Sequence, residues 1–105
     1  MLHHTMIVSF DSPIPDDDLN TYLKELETLM RGSGLVETFA ARQHVRVPGD
    51  EHSPVFVADA VVRIGFPDAK ALAASFAIPG VADLIARWQS RHPYKVVWVN
   101  HEPLP

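Results

Sequence analysis

Two hydrophobic periods alternate along this 105-residue chain, and their order restricts its fold more than any single residue does. In His3-His4-Thr5-Met6-Ile7-Val8-Ser9-Phe10 the apolar residues recur at every second position, the period of a strand, so His4, Met6, Val8 and Phe10 share one face. Asp11-Ser12-Pro13-Ile14-Pro15 breaks that pattern, and Asp16, Asp17 and Asp18 crowd the start of a helix, where negative charge is favoured. Leu19, Tyr22, Leu23, Leu26, Leu29 and Met30 then recur at helical spacing over three to four turns, and Arg31-Gly32-Ser33-Gly34 supplies a cationic last turn and a glycine stop. Strand patterns follow over Leu35–Val47 and Val55–Phe66, separated by a polar loop at Pro48–Pro54. In the second of these strands Phe56, Ala58, Ala60, Val62, Ile64 and Phe66 form the core face. Pro67-Asp68 caps a helix over Ala69–Ala77, Ile78-Pro79-Gly80 interrupts it, a second piece runs from Val81 to about Arg91, and Tyr94–Asn100 reads as a last strand.

The order β-α-β-β-α-β is the split βαβ arrangement. It predicts an α+β, ferredoxin-like domain spanning residues 1–105: a four-stranded antiparallel sheet with helices on one face. Valines on both sides of the strands leave the second sheet face apolar and uncovered, which predicts two sheets packed face to face in a homodimer. The absence of cysteine excludes disulfides, thiolate nucleophiles and cysteine-type metal sites, and a net charge of -4 without a basic cluster argues against nucleic acid and anionic membranes as partners. With neither a signal-like start nor a membrane-length apolar run, the expected location is the cytoplasm.

His4 ends an apolar stripe, where a titratable imidazole is costly unless it has a partner or a task, so it is the leading acid/base candidate. Tyr22, whose phenol needs a partner when buried, together with Ser75 and His44 are its candidate helpers. Met6, Val8, Phe10, Phe66, Phe76 and Trp88 are the apolar residues expected to wall a ligand pocket. Arg42, His44 and Arg46 alternate on one strand face, either as oxyanion donors or as a solvated strip paired with Asp59 or Glu37; Asp59 and Arg63 are placed to form an ion pair. Trp98 and Asn100 share a face of the last strand, opposite Val97, Val99 and His101. The six histidines show no metal-ligand spacing, and no glycine-rich loop opens a helix, so neither a metal nor a nucleotide cofactor is expected.

The first-strand histidine, together with Phe66-Pro67-Asp68-Ala69-Lys70-Ala71-Leu72 ahead of Ile78-Pro79-Gly80-Val81, resembles the dimeric α/β-barrel superfamily, near its stress-responsive A/B-barrel and EthD-like branches. The resemblance implies a homodimeric barrel with a small apolar pocket in each subunit. It also implies one of several cofactor-independent activities, among them polyketide cyclisation of the olivetolic acid cyclase kind, isomerisation and monooxygenation. His4 matches the first-strand histidine of that pattern, but Ser75, Ile78 and Val81 stand where the plant cyclase has a tyrosine and histidines, which removes that acid/base pair. Two readings stay open: an enzyme that moves a proton on a small apolar or aromatic compound, and a non-catalytic ligand-binding or stress-responsive homodimer.

Overall fold

The computed structural model describes residues 1–52 and 54–105. Four strands, β1 (Leu2–Phe10), β2 (Thr38–Gln43), β3 (Ala60–Phe66) and β4 (Tyr94–His101), form one antiparallel sheet in the order β2-β3-β1-β4. Helices α1 (Asp16–Gly32), α2 (Ala69–Ser75) and α3 (Val81–Arg91) cover one of its faces. This is the ferredoxin-like arrangement that the order of periods predicts.

Register determines what each face carries. His4 lies between Ile64 and Asn100, Met6 between Val62 and Trp98, Val8 between Ala60 and Val96, and Phe10 beside Tyr94. All of these belong to the helix-covered face, where Val8, Val62, Ile64 and Phe66 are shut off from solvent. Burying each such side chain contributes roughly 1.5–3 kcal/mol. The apolar stripe of α1 (Leu19, Tyr22, Leu23, Leu26, Met30) and Leu84 and Trp88 of α3 close the core from above.

Local chemistry terminates the elements. α1 runs to Gly32, a turn beyond the expected length, and the Ser33 hydroxyl donates to Met30 O before Gly34, at φ 78°, turns the chain. Asp68 caps α2 by accepting from the Ala71 amide at 2.9 Å. Gly80, at φ 95°, opens α3, and a Cβ there would meet Leu29 Cδ1 at 3.1 Å, so both backbone and space require glycine.

The β2–β3 connection departs from the expectation. The strand foreseen over Leu35–Val47 is confined to Thr38–Gln43, and the one foreseen over Val55–Phe66 begins at Ala60. Asp59 is the reason. Its amide donates to Val8 O, its carbonyl accepts from the His44 amide, and its carboxylate accepts from the Phe10 amide at 2.6 Å. Bonded this way, Asp59 ends the ladder and is not the partner of Arg63. Beyond it Pro48–Glu51 form a 3-10 turn, Val55 bonds back to His52, and Phe56 is 81% exposed instead of belonging to the core face. Ser53, within the expected loop, lies outside the described residues.

Candidate active site

Strand pairing brings His4 of β1 and Asn100 of β4 side by side under the helices, 96 residues apart in sequence. Their side chains lie 2.6 Å apart, Nδ1 of the imidazole against Oδ1 of the amide. A carbonyl oxygen can only accept, so Nδ1 carries the proton. In the neutral ring Nε2 is then the basic nitrogen, and it has no hydrogen-bond partner among the described residues. His4 is 6% exposed, with the ring of Phe76 edge-on at 5.7 Å and that of Trp98 at 5.1 Å. Phe76 and Trp98 are each about half exposed and 5.8 Å apart between ring centroids, forming an aromatic rim beside the buried imidazole.

Behind this rim a cavity of about 360 Å³ opens between the sheet and the three helices, within the size range of small-molecule sites. Its walls are Met6, Ile64, Phe66, Tyr94, Val96 and Trp98 from the sheet, Tyr22, Leu26 and Met30 from α1, Ser75 of α2 and Phe76 just after it, and Val81, Leu84, Ile85 and Gln89 from α3. Among the described residues no Lys, Arg, Asp or Glu lines it. Its polar groups are therefore His4, Tyr22, Ser75, Gln89 and Tyr94. Burial, and next the neighbouring Tyr94 phenol, push the Tyr22 hydroxyl well above the ordinary phenol range, which favours its protonated form. Ser75 donates its hydroxyl proton to Leu72 O at 2.6 Å, which leaves its oxygen as an acceptor. Both amide atoms of Gln89 are engaged by the Tyr94 backbone, at 2.9 and 3.0 Å, which ties the end of α3 to the start of β4.

Of the residues singled out from the sequence, His4, Tyr22, Ser75, Met6, Phe66 and Phe76 meet at this cavity. Val8, Phe10 and Trp88 do not line it. Val8 and Phe10 lie on the correct face but farther along β1, packed in the core, and Trp88 is 1% exposed, its indole N–H donating to Glu25 at 3.1 Å. His44 is at the other end of the sheet, beyond Gln43, which pairs with Ala60, and its Nε2 meets Asp50 at 2.7 Å. That bond, and then the Val47 amide, hold the Asp50 carboxyl below the usual range. Arg46 faces Asp16 at 3.7 Å and Arg42 donates to its own neighbour's carbonyl, so the foreseen strip is a set of exposed local contacts and provides no oxyanion site.

The sequence reading assigned no role to Asn100 or Trp98, although it placed both on one strand face. The missing signal is register: only the pairing of β1 with β4 makes Asn100 the neighbour of His4. A larger open groove between α1 and α3, lined by Lys24, Glu25, Leu29 and Arg87 among others, is a solvated seam in which Arg87 pairs with Glu25 at 2.9 Å. Among the described residues no three His, Asp or Glu side chains converge as a metal site, and no helix is long and apolar enough to cross a membrane.

No family model matches the chain, and no curated protein matches it in sequence. Solved structures match its fold. A DABB family protein with a ferredoxin-like fold from Mesorhizobium loti superposes with a TM-score of 0.73 at 13% identity, covering 99% of this chain and 97% of that one. A dimeric ferredoxin-like protein from Thermobifida fusca gives 0.72 at 12%, covering 97% and 90%. The hydroxynitrile lyase of Passiflora edulis gives 0.73 at 12%, covering 99% and 96%. A histidine-bearing apolar cavity under three helices, on a β2-β3-β1-β4 sheet, thus sits in the ferredoxin-like fold of DABB-type proteins, to whose structures this chain is similar over nearly its whole length.

Proposed function

We propose that this protein is a cofactor-independent enzyme that moves a proton on a small, neutral, apolar or aromatic compound, with Nε2 of His4 as the base. The observation that carries this reading is the 2.6 Å bond from His4 Nδ1 to Asn100. It sets one tautomer and leaves Nε2 as the basic nitrogen of a residue lining a cavity whose walls are mostly apolar and, among the described residues, free of Lys, Arg, Asp and Glu. An anionic substrate would be desolvated there without a counter-charge, whereas a neutral one meets the aromatic rim, the apolar wall and a protonated Tyr22. The proton passes from the substrate to Nε2, its electron pair stays on the substrate oxygen or carbon, and the imidazolium returns the proton when the bond rearrangement is complete. The solved hydroxynitrile lyase supports the reading to the extent that a chain of this fold and size is a small-molecule enzyme.

The test requires no knowledge of the final product. Candidate aromatic ketones, phenols and cyanohydrins are incubated with the protein in deuterated water, and deuterium entry into the compound, or its breakdown, is followed by NMR. Catalysis by the wild type and a loss of about 10²-fold or more in His4→Gln is expected. Equal rates in the two proteins exclude His4 as the base.

A second reading, a non-catalytic binding protein, has one observation in its favour: the Ser75 hydroxyl is committed to Leu72 O and burial favours the protonated form of Tyr22, so His4 is without a second titrating partner. Compounds that bind and shift the His4 resonances without any exchange or turnover are its signature.

The same reading includes a homodimer joined through the uncovered sheet face. Ile7, Val61, Val97 and Val99 lie on that face and are between 40% and 72% exposed. The chain exposes 6842 Å², whereas a compact monomer of 11.7 kDa exposes roughly 5,900 Å². Part of the excess comes from the exposed β2–β3 connection and the C-terminal residues, and part from the bare sheet face. The solved Thermobifida fusca protein of this fold is dimeric.

A further inference from the structure

The uncovered face is not uniformly apolar. Its two middle rows join Arg42, Val61, Ile7 and Val97, and then Ala40, Arg63, Thr5 and Val99. The row beyond them joins Thr38, Gly65, His3 and His101. The result is a polar corner on an apolar surface. His101 Nδ1–H donates to the Glu102 carbonyl at 2.6 Å, so in the neutral ring Nε2 accepts the Thr5 hydroxyl at 2.7 Å. The rings of His3 and His101 are 5.5 Å apart. His3 Nδ1 is enclosed with no hydrogen-bond partner, the one such side-chain atom among the described residues.

We propose that this corner makes association of two copies through the sheet face dependent on proton concentration: the pair forms while His3, with its enclosed and unpartnered Nδ1, is neutral and separates when it is protonated. The proposal rests on the homodimer put forward above and adds its control. The charged and titratable groups around the corner are the amino terminus and His3 on the β1 side, Arg63 of β3, Glu37 just ahead of β2, and His101 and Glu102 on the β4 side; Arg42 lies two rows away, and Lys95 pairs with Ser9 at the far end of β1. The three rows contain two arginines and no carboxylate, with Glu37 and Glu102 outside them. Protonating His3 in both copies places two further positive charges between two faces that already carry arginines.

Burial, and then Arg63, His101 and the amino terminus, hold His3 below the ordinary imidazole value of 6.5. The sign follows from that direction. Stability linked to neutral His3 is complete above the free value and is lost as the pH falls through it towards the lower folded value. Enclosure under a second sheet deepens the desolvation and strengthens the dependence.

Sedimentation velocity of the full chain at about pH 8 and about pH 6, with near-ultraviolet circular dichroism recorded alongside to follow the fold, tests this. The wild type is expected to be a dimer at the higher pH and to weaken at least tenfold in association at the lower, with its dichroism unchanged. The variant H3Q is expected to change less than about threefold. A wild-type dimer of equal strength at both values, equal weakening of the variant, or loss of the fold in place of dissociation would overturn the proton control while leaving the dimer standing. A monomer at both values overturns the dimer itself.

Discussion

At the residue scale the site depends on one amide. The 2.6 Å contact with Asn100 chooses the His4 tautomer, and without it either ring nitrogen can hold the proton and the ring can turn between Phe76 and Trp98. Asn100→Ala is therefore expected to lower proton-exchange activity by about tenfold or more and to replace a single His4 tautomer by a mixture in ¹⁵N NMR. Unchanged nitrogen shifts would remove Asn100 from the positioning role. Tyr22 differs in kind: its hydroxyl sits in an aromatic cluster with Phe10, Trp88 and Tyr94 at ring separations of 5.4 to 5.8 Å. Its ring packing survives in Tyr22→Phe, which removes the hydroxyl and its hydrogen bond to Tyr94, so the variant's melting temperature is measured beside its activity.

At the scale of elements, the break between α2 and α3 shapes the cavity wall. α2 is seven residues long and depends on Asp68 for its first turn. Asp68→Ala is expected to cost about 1 kcal/mol in urea unfolding. Gly80→Ala combines a positive φ with the 3.1 Å approach of Leu29. It should destabilise by more than the ~1 kcal/mol of an ordinary glycine site and should loosen Val81 and Ile85 on the cavity wall. A melting temperature equal to the wild type in Gly80→Ala would show that the joint is not strained. On the far side of the sheet Asp59 performs the corresponding task, closing the ladder so that the connection carrying Phe56 leaves the sheet.

At the scale of the whole molecule the decisive feature is asymmetry. One sheet face is covered by three helices, and the other presents Val97 and Val99 at 72% and 56% exposure. Extents of 40 × 35 × 18 Å describe a slab with one bare side. Val97→Lys is expected to yield a folded monomer by sedimentation, because the side chain lies outside the core and the added charge has no counter-charge across a two-sheet interface. A dimer that persists in Val97→Lys would move the interface elsewhere.

The sequence alone determined the order and type of the elements, because a strand needs period two and a helix needs 3.6, and the Pro, Gly and Asp residues between them mark the turns. It likewise determined that His4 shares a face with Met6, Val8 and Phe10, since alternation along one strand is a local property. What lies beside that face is not local. Register between strands 84 or more residues apart chose Asn100 as the partner of His4, the distance along β1 excluded Val8 and Phe10 from the cavity, the bonds of Asp59 shortened β3, and the pairing of Gln43 with Ala60 put His44 at the far end of the sheet. Tertiary structure decided these points because they depend on hydrogen bonds and packing between segments whose separate patterns are compatible with more than one alignment.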